Sequence, residues 1–105
     1  MNILAVDVGT TSMKLAVYSE EMQLLHQVQK GYPINNYGGG KADIEPEKWW
    51  NTFLEVCKSI PEPRKQIGLI SFSGTTPGLT AMDQDGRALL PAVLFMDGRS
   101  GKQSV

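Results

Sequence analysis

The chain has 105 residues, of which 41% are apolar, and its formal net charge at pH 7 is −1. This apolar content supports a hydrophobic core and excludes a wholly disordered chain, and the length fits one small domain. The near-neutral charge and the scattered lysines and arginines argue against nucleic acid as a partner, because phosphate binding needs a clustered basic surface.

Targeting and redox features predict a cytoplasmic protein. Residues 1–9 lack the basic region and apolar stretch of a signal peptide, and no apolar run approaches the ~20 residues of a membrane span. We therefore expect no membrane partner. The single cysteine, Cys57, cannot form an internal disulfide, which fits a reducing compartment.

The first elements predicted along the chain are three strands joined by short turns. Ile3 to Val6 is a continuous apolar run that ends at Asp7, which is typical of a buried strand. Residues 13–18 and 22–30 alternate between apolar and polar side chains, which predicts two more strands. Together these segments predict an antiparallel meander.

A loop and a helix are expected next. Residues 32–43 contain asparagines and the run Gly38-Gly39-Gly40, which predicts a flexible loop. Glu45-Pro46-Glu47 starts a helix, because proline suits the first helical position and acidic residues suit the positive helix end. The apolar face of this helix is formed by Trp49, Phe53, Val56, Cys57 and Ile60.

Extended segments follow the helix. Residues 67–72 predict a fourth, buried strand, and residues 79–82 predict a short one. Residues 83–86 have hairpin-turn chemistry, and residues 89–96 form a further extended stretch. Three antiparallel strands followed by a helix crossover and a fourth strand open a ribonuclease H-like fold. We therefore expect an α/β domain with a mixed sheet.

The segment from Asp7 to Lys14 contains the groups expected at a nucleotide phosphate site. Gly9, at a strand turn, lets backbone N–H groups approach an anion closely. Lys14 adds a positive charge, and Asp7 is placed to hold Mg²⁺ through water. Hydroxyl donors come from Thr10, Thr11 and Ser12. A simple hairpin turn would use the same residue types, so this alternative stays open on these residues alone.

Residues 3–18 resemble the first phosphate motif of the actin-like ATPase superfamily, in the form found in FGGY carbohydrate kinases such as xylulokinase and glycerol kinase. The resemblance implies ATP and Mg²⁺ as cofactors, with Asp7 as the residue that binds Mg²⁺ through water. The residues to which it gives a role in ATP and Mg²⁺ binding are Asp7, Gly9, Thr10, Thr11, Ser12 and Lys14.

Three later segments also resemble this family. Residues 42–50 resemble the start of its first helix, for which we expect packing and no chemistry. Residues 70–79 match the stretch where xylulokinase-like enzymes carry Ser-Gly-Gln-Met-His-Gly, although Thr-Thr-Pro replaces Gln-Met-His here. Residues 91–100 match a segment that ends in Asp-x-Arg. The resemblance implies sugar-binding roles for Thr75, Thr76, Pro77, Asp97 and Arg99. The purely structural alternatives are a plain loop for the first segment and a local Asp97–Arg99 pair for the second.

The matched segments run in order from Ile3 to Ser100. We therefore expect residues 1–105 to be the N-terminal part of the first domain of such a kinase, without the rest of that domain or the second domain. The implied activity is transfer of the ATP γ-phosphoryl group to a hydroxyl of a sugar or polyol, with a xylulose-like pentulose as the expected acceptor. The resemblance places the catalytic base beyond Val105, so we expect the chain alone to be inactive.

Two alternatives remain open on the sequence. A non-catalytic nucleotide-binding or assembly module would use the segment from Asp7 to Lys14, or an open sheet edge, without turnover. An actin-like ATPase or chaperone relative is disfavoured by the kinase-like positions of Ser73-Gly74 and Asp97-Gly98-Arg99. If the chain is the N-terminal part of a kinase, the missing sheet partner leaves an exposed strand edge and apolar surface, which predicts self-association of the chain.

Overall fold

The computed structural model describes residues 1–74 and 78–94, which form seven strands and one helix. The elements, in chain order, are β1 (Asn2–Val8), β2 (Ser12–Tyr18), β3 (Leu24–Gly31), β4 (Asn35–Gly38), β5 (Lys41–Ile44), α1 (Pro46–Lys58), β6 (Ile67–Gly74) and β7 (Ala92–Val93).

The main sheet has four strands in the order β3-β2-β1-β6. β1 and β3 both pair antiparallel with β2, whereas β6 pairs parallel with β1. Two parallel neighbours need a crossover connection, and α1 lies in the connection that leads to β6. The expected α/β class, with a three-stranded meander, a helix crossover and a mixed sheet, is confirmed.

The core lies between α1 and one face of the main sheet. Alternate side chains of β1 and β2 are at most 3% exposed on this face, namely Leu4, Val6, Met13, Leu15 and Val17. Because side chains alternate along a strand, the residues between them belong to the opposite face. That opposite face carries Asp7 and Lys14, both of them exposed.

The helix begins and ends near the predicted positions. Pro46 occupies the first turn and Glu45 is the N-cap residue. At the other end, the Ser59 hydroxyl donates a hydrogen bond of 2.6 Å to the Val56 carbonyl. Cys57 is half-buried on the apolar face, and desolvation raises the pKa of its thiol while the charge of Lys65 opposes that rise.

The prediction of a flexible loop over residues 32–43 is wrong. Most of this segment forms the β4–β5 hairpin, and β5 pairs with β7 in a second, three-stranded sheet. Gly38, Gly39 and Gly40 have φ values of 73°, 60° and 81°, which glycine adopts without steric cost. The run of glycines therefore makes a tight turn.

A buried carboxylate ties this hairpin together. Asp43 in β5 is 2% exposed. It accepts hydrogen bonds of 3.0 Å from the Asn35 side-chain amide and 3.1 Å from the Tyr37 hydroxyl. A buried charge is tolerated when it is hydrogen-bonded in this way, so the polar residues of the predicted loop are structural partners.

The prediction that residues 67–72 form a buried strand is half wrong. The strand exists as β6, but Leu69 is 59% exposed and Phe72 is 63% exposed. In the described part of the chain, β6 pairs with β1 alone. Its outer edge and much of its apolar surface are therefore uncovered.

Three smaller boundaries differ from the prediction. β3 begins at Leu24, because Met22 adopts φ 64° in the preceding turn. Residues 79–82 form isolated bridges only, and within the described part of residues 89–96 only Ala92–Val93 is a strand. The predicted turn at 83–86 is confirmed, with Gly86 at φ 80° and hydrogen bonds from the Asp85 and Arg87 amides to the Asp83 carboxylate.

We predict that Leu15→Ala lowers the free energy of unfolding by about 2–5 kcal/mol, because it removes a side chain that is 1% exposed in the centre of the core. The matched change Leu24→Ala, at a side chain that is 52% exposed, should cost less than about 1 kcal/mol. Urea unfolding midpoints measure both. Equal losses would contradict the placement of the core.

Candidate functional site

The turn between β1 and β2 requires glycine at its first position. The Gly9 N–H donates a hydrogen bond of 2.9 Å to the Ser12 carbonyl oxygen. A Cβ atom on Gly9 would lie 2.7 Å from that same oxygen, closer than real Cβ contacts allow. The absence of a side chain at Gly9 therefore lets the two strands meet in a tight connection. It also means that the Gly9 amide is already bonded within the turn.

Asp7 and Lys14 are brought side by side on the open face of the main sheet. They are directly paired across the antiparallel β1–β2 ladder, where facing Cβ atoms lie about 4.5–5.5 Å apart. Ser73 of β6 is the register partner of Asp7 on the other side. A carboxylate, an ammonium group and a hydroxyl thus lie on adjacent strands at the end of the sheet beside the turn.

These groups line an open cleft of about 200 Å³ on the face away from α1. Its floor includes the small side chains of Ala5 and Ala16, which leave space above the sheet. The polar residues that line it are Asp7, Lys14, Gln27, Ser71 and Ser73. Opposite charges and neutral donors in one cleft suit a ligand that carries both phosphate groups and a cation.

The turn itself adds three hydroxyl groups next to this cleft. Thr11 is exposed, whereas Thr10 and Ser12 are half-buried. The Ser12 hydroxyl oxygen accepts a hydrogen bond of 3.0 Å from the Gln29 side chain of β3. That bond leaves the hydroxyl proton of Ser12 available for donation.

Tyr32 holds the turn from the core side, and the sequence analysis did not identify it. Its hydroxyl donates to the Gly9 carbonyl oxygen and lies 3.2 Å from the Ser12 carbonyl oxygen, while its own N–H donates to the Thr11 carbonyl at 2.9 Å. The pKa of Tyr32 is raised, mainly by burial. The Trp49 side chain lowers this pKa, whereas the negative charge of Asp7 raises it further. The feature of the sequence that could have indicated Tyr32 is its position, as a tyrosine directly after the third predicted strand.

A second cleft, of about 240 Å³, lies where β1 and β6 end. Its lining includes Val8, Trp49 and Thr80, together with Gly74 and Gly78. The buried Trp49 indole N–H makes no regular hydrogen bond among the described residues. The predicted sugar-binding residues, which are Thr75, Thr76, Pro77, Asp97 and Arg99, lie outside the described residues.

The donor set around Asp7 fits Mg²⁺ in one specific sense. Mg²⁺ commonly takes one or two protein carboxylates and completes its shell with water and substrate phosphates. Asp7 supplies one exposed carboxylate beside the cleft. Among residues 1–74 and 78–94, no group of three or more His, Cys, Asp or Glu side chains could hold a metal by itself. No helix within these ranges is both long and apolar enough to cross a membrane.

Residues 2–104 match the N-terminal domain of the FGGY family of carbohydrate kinases. The chain belongs to this family. It is 30% identical over 103 residues to a xylulose kinase of Staphylococcus xylosus and 30% identical over 100 residues to a gluconokinase of Bacillus subtilis. These alignments cover 96% and 93% of this chain but 21% and 20% of the two relatives, so the chain spans about a fifth of their length.

Solved structures confirm the fold of this FGGY domain. A xylulose kinase from Rhodospirillum rubrum superposes with a TM-score of 0.87 at 22% identity, covering 100% of this chain and 24% of that one. A gluconate kinase from Lactobacillus acidophilus gives a TM-score of 0.85 at 24% identity, covering 97% of this chain and 21% of that one. The expected fold class and the family resemblance are both confirmed.

We predict that Gly9→Ala destabilises the turn by about 1–3 kcal/mol, because its Cβ would overlap the Ser12 carbonyl oxygen. The matched change is Gly31→Ala at the last residue of β3, where a Cβ would lie at an ordinary 3.6 Å from the Thr11 carbonyl oxygen. Thermal and urea unfolding of both variants measure the difference. An equal or larger loss for Gly31→Ala would show that the close approach at Gly9 is unimportant.

Proposed function

We propose that this chain forms the phosphate-binding part of an ATP-dependent sugar kinase, which transfers the γ-phosphoryl group of ATP to a hydroxyl of a sugar or polyol. The observation that carries the proposal is the pairing of Asp7 with Lys14 beside the Gly9–Ser12 turn, in a chain of the FGGY family. Family membership supplies the class of reaction, and the geometry supplies residues with distinct roles in it.

Phosphoryl transfer is catalysed mainly by positioning and by stabilising charge on the phosphate oxygens. In our proposal Lys14 attracts the phosphates, and the turn donates hydrogen bonds to them. Since the Gly9 amide is bonded to Ser12, the donors are the hydroxyls and amides of Thr10, Thr11 and Ser12. Gly9 contributes by allowing the tight turn.

Asp7 has the metal role in this proposal. Its carboxylate lies on the rim of the same cleft as the Lys14 ammonium group, on the neighbouring strand. It would hold Mg²⁺ through water, and the bound ion would neutralise charge on the β- and γ-phosphates. The exposed position of Asp7 keeps this carboxylate hydrated and accessible to a hydrated ion.

The acceptor sugar is proposed to bind near the second cleft. Gly74 and Gly78, which flank the segment from Thr75 to Pro77, both line it. This supports sugar-binding roles for Thr75, Thr76 and Pro77, and we retain Asp97 and Arg99 on the family resemblance. A xylulose-like pentulose is the first acceptor to test. An aldonic acid is the second, because a gluconokinase and a xylulose kinase are equally similar to the chain at 30% identity.

The catalytic base and the adenosine pocket are proposed to lie outside this chain. The described site contains a phosphate turn and a metal carboxylate, but these residues do not supply a base aimed at an acceptor hydroxyl. We therefore expect residues 1–105 alone to be inactive as a kinase. A cytoplasmic location fits the requirement for ATP and the unpaired Cys57.

We predict that Asp7→Asn in the complete kinase containing this chain lowers kcat by about 10²–10³-fold. The reason is that the change removes the negative charge proposed to hold Mg²⁺ beside the phosphates. Release of ADP is followed with ATP, Mg²⁺ and a panel of pentuloses, hexuloses, polyols and aldonates. The control Asp85→Asn removes an exposed carboxylate from the distant 83–86 turn and should leave kcat unchanged. If the folded wild type binds ATP but releases no ADP with any acceptor, the non-catalytic module replaces this proposal.

The chain by itself is also proposed to self-associate through the uncovered edge of β6. The apolar side chains of this strand are exposed at Leu69, Ile70 and Phe72. The opposite edge of the sheet, β3, carries exposed glutamines and Lys30, which pairs with Glu55 of α1. Polar and charged edges resist strand pairing, whereas an apolar edge favours it. We therefore propose that β6 of a second copy of the chain pairs with this edge.

We predict that residues 1–105 dimerise with rising concentration in sedimentation velocity, and that Leu69→Lys shifts the equilibrium to monomer because it places a charge on the apolar edge. The matched change Leu24→Lys lies on β3 at a similarly exposed leucine, 52% against 59%, and should leave the equilibrium unchanged. A wild-type chain that stays monomeric at high concentration would refute the dimer.

A further inference from the structure

The hydrogen bonds of Tyr32 have a consequence for nucleotide binding. We propose that Tyr32 is a positioning residue that orients the peptide groups of the phosphate turn, an inference that rests on the proposed nucleotide site. Tyr32 follows β3 directly and lies on the core side of the sheet, opposite the cleft that contains Asp7 and Lys14. It is 6% exposed.

Tyr32 contacts three of the four residues in the turn through their carbonyl oxygens. Its hydroxyl bonds to the Gly9 carbonyl and approaches that of Ser12, and its backbone N–H bonds to that of Thr11. All three oxygens are therefore drawn toward one residue on the core side. A carbonyl oxygen turned outward would instead present its partial negative charge to a phosphate.

Peptide geometry converts these contacts into a direction for the N–H groups. A peptide unit is planar and trans, so its C=O and N–H bonds point to opposite sides. Fixing the Gly9 carbonyl fixes the N–H of Thr10, and fixing the Thr11 carbonyl fixes the N–H of Ser12. Both amides are thereby directed away from Tyr32, where together they can bind an anion.

Two properties suit Tyr32 to this role. Its ring is packed in the core cluster beside partly buried Trp49, which restricts the position of the hydroxyl. The pKa of a tyrosine hydroxyl lies well above physiological pH and burial raises that of Tyr32 further, so the hydroxyl is protonated and able to donate. Phenylalanine would fill the same space but could not hold the Gly9 carbonyl, whereas the Ser12 carbonyl would keep its hydrogen bond from the Gly9 N–H.

The test is Tyr32→Phe in the complete kinase. We expect the KM for ATP, and the Kd for Mg²⁺–ATP measured by calorimetry, to rise about tenfold, the size expected for the loss of one positioning hydrogen bond. The KM for the sugar should stay unchanged. A general loss of folded enzyme would instead lower the apparent kcat and change neither KM. The control Tyr18→Phe removes a half-buried hydroxyl at the far end of β2 and should change neither constant.

Hydrogen exchange in the wild-type protein gives an independent readout. Adding Mg²⁺–ATP should slow exchange of the Thr10, Ser12 and Tyr32 amides together, because one hydrogen-bonded unit is stabilised. Wild-type ATP affinity in Tyr32→Phe, or a Tyr32 amide indifferent to Mg²⁺–ATP when the turn amides respond, would overturn the proposal. If the kinase binds ATP but transfers no phosphoryl group, the proposed reaction fails while the affinity and exchange measurements still decide the role of Tyr32.

Discussion

The two-sided pairing of β1 is the constraint on which the rest of the structure depends. β1 lies antiparallel to β2 and parallel to β6, so among the described strands it alone is bounded by neighbours of both kinds. Its alternation sends Leu4 and Val6 into the core against α1 and leaves Asp7 on the open face. The same strand thus supplies both hydrophobic stability and the carboxylate of the candidate site.

Much of this architecture was predictable from local pattern. The apolar run of β1 and the alternation in β2 and β3 specify strands, and Pro46 marks the start of α1. Alternation also places Asp7 and Lys14 on one face once the turn at Gly9 is recognised. The chemical roles proposed for these residues came from the family resemblance, because a simple hairpin turn can have the same composition.

Features that depend on contacts between distant residues could not be predicted. Whether Gly38–Gly40 is a loose loop or a tight hairpin depends on the burial of β5, which in turn requires β7 about fifty residues later. The apolar composition of β6 indicates a buried strand, yet burial depends on what covers it. Tyr32 was overlooked because its hydroxyl contacts carbonyl groups some twenty residues earlier. Every residue has a backbone carbonyl group, so no residue type in the sequence marks such a contact.

The division of the chain into two sheets has an evolutionary consequence. The turn from Gly9 to Ser12 belongs to the four-stranded sheet, whereas β7, which lies within the segment that resembles the Asp-x-Arg stretch of the family, pairs with β5 in the smaller one. The two sheets nevertheless share one core, because Ala92 and Leu94 belong to the same buried cluster as Leu4 and Val6. Core-facing positions near β7 are therefore constrained by the main sheet, so evolutionary change there is expected at the side chains that point away from this cluster.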